Sequence, residues 1–281
     1  MGAVRIVTDS TADLPRELAE QYGVVVVPLK VLFGQEVFRD GADLDAADFY
    51  SRLKKTPVLP TTSQPAPGEF VAVYERLTRR GDSVISIHIS SALSGTFHSA
   101  QLAKTMVDSK DIFVIDSRSV SMGLGLIVIA AAKAAREGRT RKEILTLIND
   151  LINNIKVLFV VDSLEYLERG GRIGKASALL GSLLNIKPIL ALQDGLVTPL
   201  EKVRGKSRAL DRLVELAGAS YGPGRRLVCS IVHSDDYSSL MKLRDKIEVS
   251  LNSPDILISE LGPVVGTHVG PGTVGIVVYP A

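Results

Sequence analysis

Short apolar runs alternate with helical patterns through the first half of the chain. The run Val84–Ile89 predicts a buried strand, because apolar side chains dominate it over only a few residues. Amphipathic helical patterns separate such runs as far as about residue 153. This order of strand, polar turn and helix predicts a parallel sheet covered by helices. We therefore expect an α/β domain over residues 1–155.

A hairpin interrupts this alternation. Lys30–Phe38 contains Gly34-Gln35 between two short apolar runs, which indicates a small hairpin inserted near residues 29–60. The preceding run, Val24–Leu29, predicts a strand buried on both faces. Thr61–Pro67 follows two prolines and contains two more, so we expect an extended connection without regular strand pairing.

The second half of the chain has a different pattern. Pro188–Leu192 and Leu196–Leu200 are apolar runs joined through Asp194-Gly195, a strong signal for a hairpin of antiparallel strands. Ala176–Leu184 is apolar and predicts a helix just before this hairpin. We expect residues 156–281 to form a mostly antiparallel α+β domain, with a ligand bound between or beside the two domains.

Composition narrows the class of protein. A hydrophobic fraction of 46% and a charged fraction of 23% are typical of a globular protein. The net charge of +2 predicts no nucleic-acid partner and at most transient membrane contact. The single cysteine excludes a disulfide framework, and the N-terminus lacks the apolar core of a signal peptide. The most apolar helical pattern, Met122–Ala135, is too short to span a bilayer. We therefore expect a cytoplasmic protein.

Polar side chains gather in four segments. These are Thr8–Thr11, Thr61–Gln64, Ser90–Thr96 and the glycine-rich Gly266–Gly272, which contains His268. Ser90–Thr96 follows the central strand, where the N–H groups of the next helix favour a ligand, although Ser94 and Thr96 are equally suited to capping that helix. We interpret the segment around His268 as a flexible loop. Hydroxyls with one imidazole suit a single carboxylate, and a protonated His268 would add charge.

Small residues mark the helix predicted over Met122–Ala135. Gly123 and Gly125 lie among large aliphatic residues, where they either let neighbouring helices approach or leave a channel for a ligand. We favour close packing.

Several enzyme classes lack their motifs. The nucleophile elbow G-x-S-x-G is absent at Ser94, because Ala92 lies two residues before it and Thr96 two residues after it, where the motif has glycines. Gly170–Lys175 fails the spacing of a phosphate-binding loop. Four scattered histidines and one cysteine form no recognisable metal-binding set. A serine acyl hydrolase or acyltransferase that uses Ser94 and His268 stays open as the alternative to a binding protein.

The order and spacing of short motifs along the whole chain resemble the DegV family, the fatty-acid-binding subunits of bacterial fatty acid kinase. The motifs that carry this resemblance are Val7–Pro15, Thr62–Pro65, Leu93–Thr96, Asp116-Ser117, Gly170–Ile173, Lys187–Ile189 and His268–Gly272. The resemblance implies a two-domain α/β fold that buries one long-chain fatty acid and needs no cofactor, no metal and no catalytic residue of its own.

The resemblance also implies roles for individual residues. The carboxylate is expected to be held by Thr62, Ser94 and His268. Supporting positions by the same comparison are Ser63, Gly95, Thr96 and Arg172.

A partner completes the function that the resemblance implies. A separate ATP-binding kinase phosphorylates the acid on its carboxylate, and the acyl phosphate passes to phospholipid synthesis. Arg172 matches the family position for docking or phosphate handling best, and Arg204 matches less closely. With Arg169, Lys175, Lys206 and Arg208 they form either a docking face or an ordinary solvated basic surface.

Overall fold

A computed structural model describes residues 2–179, 185–222 and 224–281. The strands over these residues are β1 Val4–Asp9, β2 Val25–Val27, β3 Lys30–Phe33, β4 Glu36–Arg39, β5 Thr61–Ser63, β6 Ser83–His88, β7 Ile112–Asp116, β8 Lys156–Val160, β9 Ile186–Gln193, β10 Leu196–Arg204, β11 Leu227–His233, β12 Ile256–Glu260 and β13 Val274–Pro280. The α-helices are α1 Arg16–Tyr22, α2 Ala46–Lys55, α3 Pro67–Thr78, α4 Thr96–Met106, α5 Met122–Arg136, α6 Arg141–Asn154, α7 Glu165–Arg169, α8 Lys206–Ala219, α9 Tyr237–Ser250 and α10 Pro263–Val269. Short 3₁₀ segments cover Ser10–Ala12 and Gly174–Leu179.

The first sheet is parallel, as the alternating pattern predicts. Its strand order is β2-β1-β6-β7, and helices pack on both faces. Phe70 and Tyr74 of α3 are buried against one face, whereas Leu124 and Ile127 of α5 are buried against the other. The chain leaves β1 toward β2 on one side, and β6 flanks β1 on the other. The carboxyl ends of β1 and β6 therefore border a topological switch point, where open α/β sheets bind ligands.

The second sheet is mostly antiparallel, as predicted. Its order is β10-β9-β8-β13-β11-β12, and only β11 and β12 run parallel. The predicted hairpin is confirmed: Asp194 and Gly195 form its turn with positive φ angles of 51° and 79°. Helices α8 and α9 cover one face of this sheet, and α5 contributes Met122 and Leu126 to the apolar layer on the other. The division into domains at residues 155 and 156 stays a prediction.

A third, small sheet holds part of the candidate site. The predicted hairpin is confirmed as β3 and β4, and β5 joins it in the order β4-β3-β5. The prediction that Thr61–Pro67 avoids regular pairing was wrong for its first residues, because Thr61–Ser63 pairs with Lys30–Leu32. Pro60 and Pro65 flank the three paired residues and lie outside them, so neither proline removes a donor from this ladder.

Two further elements differ from their predictions. Val24–Leu29 forms only the short edge strand β2, and Val26 is 38% exposed, so this strand is not buried on both faces. The helix predicted over Ala176–Leu184 is 3₁₀ as far as Leu179, and its remaining residues lie outside the described part of the chain.

The glycines of α5 permit close packing. A Cβ atom at Gly125 would lie 2.7 Å from the carbonyl oxygen of Ala12, and one at Gly123 would lie 2.6 Å from a methyl group of Val157. Close packing, and not a channel along α5, is therefore confirmed at both positions. Over the described residues, the longest helices fall short of the length and apolarity needed to cross a membrane.

Candidate functional site

A cavity of about 360 Å³ lies at the switch point of the first sheet. Thr11 follows β1, and Ile89 and Leu93 follow β6, so the carboxyl ends of both strands form one wall. The opposite wall comes from the second half of the chain. Its residues are Phe159, Leu167, Leu192, Val197, Val264, Val265 and Val269. This volume is within the range of small-molecule sites, and most of the wall is aliphatic or aromatic.

Polar side chains concentrate at one end of this cavity. They come from β5, from the turn before α4, from the segment after α7 and from α10. The residues are Thr62, Ser63, Gln64, Ser94, Arg172 and His268. The three predicted carboxylate ligands, Thr62, Ser94 and His268, therefore line one cavity although up to 206 residues separate them in sequence.

Thr62 and His268 are in direct contact. Thr62 is the middle residue of β5 and pairs with Val31, which fixes its backbone. Its Oγ1 lies 2.8 Å from Nε2 of His268. With the imidazole proton on Nε2, His268 donates to Thr62, and the threonine hydroxyl proton is then free to point into the cavity.

His268 lies on a helix, which corrects the prediction of a flexible loop. The helix α10 starts after the N-cap Gly262 with Pro263 at its first position, and Gly270 ends it with φ of 72°. Proline at the start and glycine after the end are ordinary helix signals, so the sequence carried the information. The glycines that suggested flexibility instead allow close contacts: a Cβ atom at Gly266 would lie 2.6 Å from the Tyr50 hydroxyl.

The start of α10 is anchored to the first half of the chain. The backbone N–H of Gly262 donates to Asp13, and Tyr50 donates its hydroxyl to the carbonyl of Leu261. The N-cap position of α1 is held by Pro15, and the nearby Asp13 bonds to the start of α10 instead. These bonds hold the helix that positions His268 against Thr62.

The environment of His268 favours its neutral form. Burial, and then the nearby Arg172 guanidinium, lower the pKa of His268 to about 4. At neutral pH the imidazole therefore does not add the positive charge that a protonated His268 would bring. Its Nδ1 is buried without a hydrogen-bond partner, and a Cβ atom at Gly170 would lie 2.3 Å from that nitrogen. An imidazole in this state offers one N–H donor and little positive charge.

Ser94 lines the cavity and also lies at the start of α4. The N–H of Thr96 donates to its Oγ at 3.3 Å, although the N-cap position itself is Gly95. The hydroxyls of Ser94 and the fully buried Thr96 are also 2.9 Å apart. If Thr96 donates to Ser94, the Ser94 proton remains available to a ligand in the cavity.

Arg172 closes the polar end of the cavity. Its Nε donates to the carbonyl of Leu93 at 3.0 Å, and Nη1 donates to the carbonyl of Gly170 at 2.6 Å. Within the described ranges no carboxylate forms an ion pair with it. Arg172, Thr62 and His268 also line a second cavity of about 310 Å³ beside the first. Their side chains thus stand between the two spaces.

The other predicted positions are placed less centrally. Ser63 lines the main cavity, whereas Gly95 and Thr96 lie behind it, under Gln64 and Ser94 respectively. Arg204 is exposed at the end of β10 and does not line the cavity. At a rise of about 3.3 Å per residue, it lies roughly 20 Å along the strand from Val197.

Two members of the proposed basic face are paired with carboxylates, and Arg169 forms an exposed ion pair with Glu165. Lys206 donates to Asp236, to Asp162 and to the carbonyl of Gly272. Two carboxylates compensate its charge, so Lys206 anchors the segment after α10 and is not a free docking cation.

The residues that line the apolar part of the cavity were not predicted from the sequence. A smaller apolar cavity of about 50 Å³ shares four lining residues with the main one: Val120, Phe159, Val265 and Val269. None of these lies on the predicted helix Met122–Ala135, where a channel for a ligand was the less favoured alternative to close packing. The valines of α10 lie close to His268 in sequence, and this proximity could have indicated an apolar wall beside the imidazole.

The geometry does not assemble a nucleophile. Ser94 and His268 have separate partners, Thr96 and Thr62, and among the described residues no carboxylate is hydrogen-bonded to Nδ1 of His268. In the described part of the chain, no group of three histidine, cysteine or carboxylate side chains could hold a metal ion.

The fold and the site together define a protein with a mostly apolar cavity that ends in a cluster of hydroxyls, one imidazole and one guanidinium. Residues 3–281 match the model described as "Uncharacterised protein, DegV family". This chain belongs to the DegV family. It is 41% identical over 280 residues to a DegV domain-containing protein of Halalkalibacterium halodurans, covering 99% of both chains.

Solved structures of the family share the fold. A DegV family protein from Thermus thermophilus, named for fatty acid binding, superposes with a TM-score of 0.94 at 36% identity, covering 99% of this chain and 100% of that one. DegV from Bacillus subtilis, a fatty acid binding protein, gives a TM-score of 0.91 at 36% identity with full coverage of both chains. These relatives bind fatty acids.

Proposed function

We propose that this protein binds one long-chain fatty acid and is not itself an enzyme. The observation that carries the proposal is the junction of an apolar cavity with Thr62, Ser94 and His268 at one end. The hydroxyls of Thr62 and Ser94 donate to the carboxylate, and His268 orients Thr62 through Nε2. The acyl chain extends past Phe159 and Val265 toward the smaller cavity. The fatty-acid-binding relatives support this assignment.

Burial of the chain supplies most of the affinity. Each buried CH₂ group contributes about 0.8 kcal/mol, so a chain of some sixteen carbons gains on the order of 10 kcal/mol before the costs of binding. The hydrogen bonds add less, but they decide which end of the molecule stays at the polar end. Burying a carboxylate without partners would cost several kcal/mol.

The bound acid is presented to a partner kinase that supplies ATP. The second cavity reaches the polar cluster from the side opposite the acyl chain, which gives a phosphate donor a route to the carboxylate. A carboxylate oxygen attacks the γ-phosphorus of ATP. The bond from that phosphorus to the bridging oxygen breaks, and ADP leaves. Arg172, whose charge has no carboxylate partner among the described residues, faces this route and attracts the phosphate.

Native mass spectrometry of the purified protein tests the binding step. We expect an excess equal to the mass of one long-chain fatty acid, lost under denaturing conditions. Delipidated Thr62→Val should bind palmitate about tenfold more weakly, because one charge-assisted hydrogen bond is lost. Thr105→Val, the same change on the exposed surface of α4, should bind like the natural protein. An excess that survives denaturation would instead indicate an acylated residue and the hydrolase alternative.

The presentation step needs its own experiment. The loaded protein is mixed with an ATP-dependent fatty acid kinase subunit and ATP, and acyl phosphate is trapped with hydroxylamine. We expect hydroxamate only when protein, kinase and ATP are all present. Hydroxamate formed without this protein, or none with it, would remove the presentation role and leave the binding role intact.

A further inference from the structure

Gln64 bridges the two segments that carry the hydroxyls of the site. It follows Thr62 by two residues, and its Nε2 donates to Oγ of Ser99 at 2.8 Å. Ser99 lies in the first turns of α4, just after Ser94, and is 5% exposed. One side chain therefore connects the strand that bears Thr62 with the helix start that bears Ser94.

The amide of Gln64 lies directly on Gly95. A Cβ atom built at Gly95 would be 2.0 Å from Oε1 and 2.7 Å from Cδ of Gln64. The φ of Gly95 is −72°, a value that any residue adopts, so the backbone there does not require glycine. Glycine is required there because a side chain at position 95 would occupy the space of the Gln64 amide. Gly95, between Ser94 and Thr96, thus leaves room for the side chain of Gln64 from another segment.

We propose that Gln64 is a positioning residue, which sets the separation of the Thr62 and Ser94 hydroxyls by clamping β5 to the start of α4. The inference rests on the proposed fatty acid site. A carboxylate needs both donors at about 2.6–2.9 Å from its oxygens at the same time, and a shift of 1 Å in either segment breaks one bond. Gln64 also lines the cavity, but its amide is turned to Ser99 and Gly95, so it acts through these residues and not by binding the acid.

A double-mutant cycle tests the clamp. We expect Gln64→Ala and Ser99→Ala each to weaken palmitate binding about 5- to 10-fold, the loss typical of one hydrogen bond. The double variant should be no weaker than either single one, because both changes break the same contact. Gln35→Ala, the same substitution in the exposed turn between β3 and β4, is the matched control and should bind normally.

Gly95→Ala provides an independent readout. Its added methyl group displaces the Gln64 amide, so we expect weaker binding and a lower thermal midpoint. In Gly95→Ala/Gln64→Ala the methyl group has nothing to displace, and the thermal midpoint should recover to that of Gln64→Ala. Losses that add in the Gln64/Ser99 cycle would show that Gln64 contacts the acid directly and overturn the clamp.

The two proposals fail in different ways. If Gln64→Ala binds like Gln35→Ala while Thr62→Val is weakened, the clamp is wrong and the site stands. If Thr62→Val and Ser94→Ala both bind palmitate normally, the proposed site itself is wrong.

Discussion

His88 and His268 show how differently the fold uses the same side chain. His88 ends β6, and both its ring nitrogens are hydrogen-bonded: Nδ1 lies 2.9 Å from Asp9, and Nε2 lies 2.7 Å from Ser86. His268 ends α10 with only Nε2 bonded, to Thr62. The His88 side chain is fully buried, whereas His268 lines a cavity.

The neighbours of the two histidines complete the contrast. Asp9 also accepts the N–H groups of Thr11 and Ile89, so its buried carboxylate has several donors. Tyr74 donates to Ser86, which closes the network. Asp9, His88 and Ser86 thus have the composition of a catalytic triad, but all three are fully buried and none of them lines the cavity of the candidate site. A network in which every buried polar atom has a hydrogen-bond partner indicates a structural role. Polar atoms without a partner beside a cavity indicate a binding site.

The largest expected effect belongs to the structural histidine. His88→Ala leaves Asp9 and Ser86 buried with lost partners, and we expect the free energy of unfolding to fall by about 3 kcal/mol or more. Urea unfolding measures it, with His98→Ala on the exposed face of α4 as control. If His88→Ala does not fold, Tyr74→Phe removes one bond of the same network at about 1 kcal/mol. If His88→Ala kept its stability but lost palmitate binding, His88 would belong to the binding site, and the contrast with His268 would be wrong.

A pH profile separates His268 from the rest of the chain. Its folded pKa of about 4 lies below the ordinary 6.5, so between these values the unfolded state binds more protons. Stability therefore falls as the pH falls from 6.5 to 4, by up to roughly 3 kcal/mol. Burial raises the pKa of Asp40 to about 6, which acts in the opposite direction.

The difference between the natural protein and His268→Gln cancels the Asp40 contribution. We expect the ligand-free variant to lose less stability on acidification than the natural protein, as measured by urea unfolding from pH 7.5 to 4.5. Parallel pH profiles for the two proteins would show that His268 is not held neutral.

The smallest expected effect is on affinity. His268→Gln replaces the rigid imidazole with a flexible amide that does not hold its N–H in place against Thr62, and we expect palmitate binding about tenfold weaker at pH 7.5. Stability at that pH should change less than in His88→Ala, because His268 has one bond to lose. His98→Gln is the matched control. Equal losses of stability in His268→Gln and His88→Ala would remove the distinction between the two sites.

Much of the fold and part of the candidate site could be predicted from the sequence. The parallel and antiparallel halves followed from the spacing of apolar runs and from the Asp194-Gly195 turn. Thr61–Gln64, Ser90–Thr96 and His268 were all identified as polar segments, and the structure brings them to one cavity. Local patterns sufficed to mark these residues as polar, but they did not give the strand that carries Thr62 or the helix that carries His268.

The remainder depends on contacts between distant residues. The fourth polar segment, Thr8–Thr11, looked equally functional, yet Thr8 and Asp9 end β1 and are fully buried. Only the pairing of Asp9 with His88, 79 residues away, reveals this. Likewise Lys206 matched a docking cation until Asp162 and Asp236 proved to hold it. Sequence pattern identifies polar residues but not which of their atoms remain unpaired.

A crystal structure of the protein with palmitate tests the central claim most directly. We predict carboxylate oxygens about 3 Å from Oγ1 of Thr62 and Oγ of Ser94, with the chain running past Phe159 and Val265. A palmitate bound with its methyl end at Thr62 and His268, or bound in another cavity, would contradict the account.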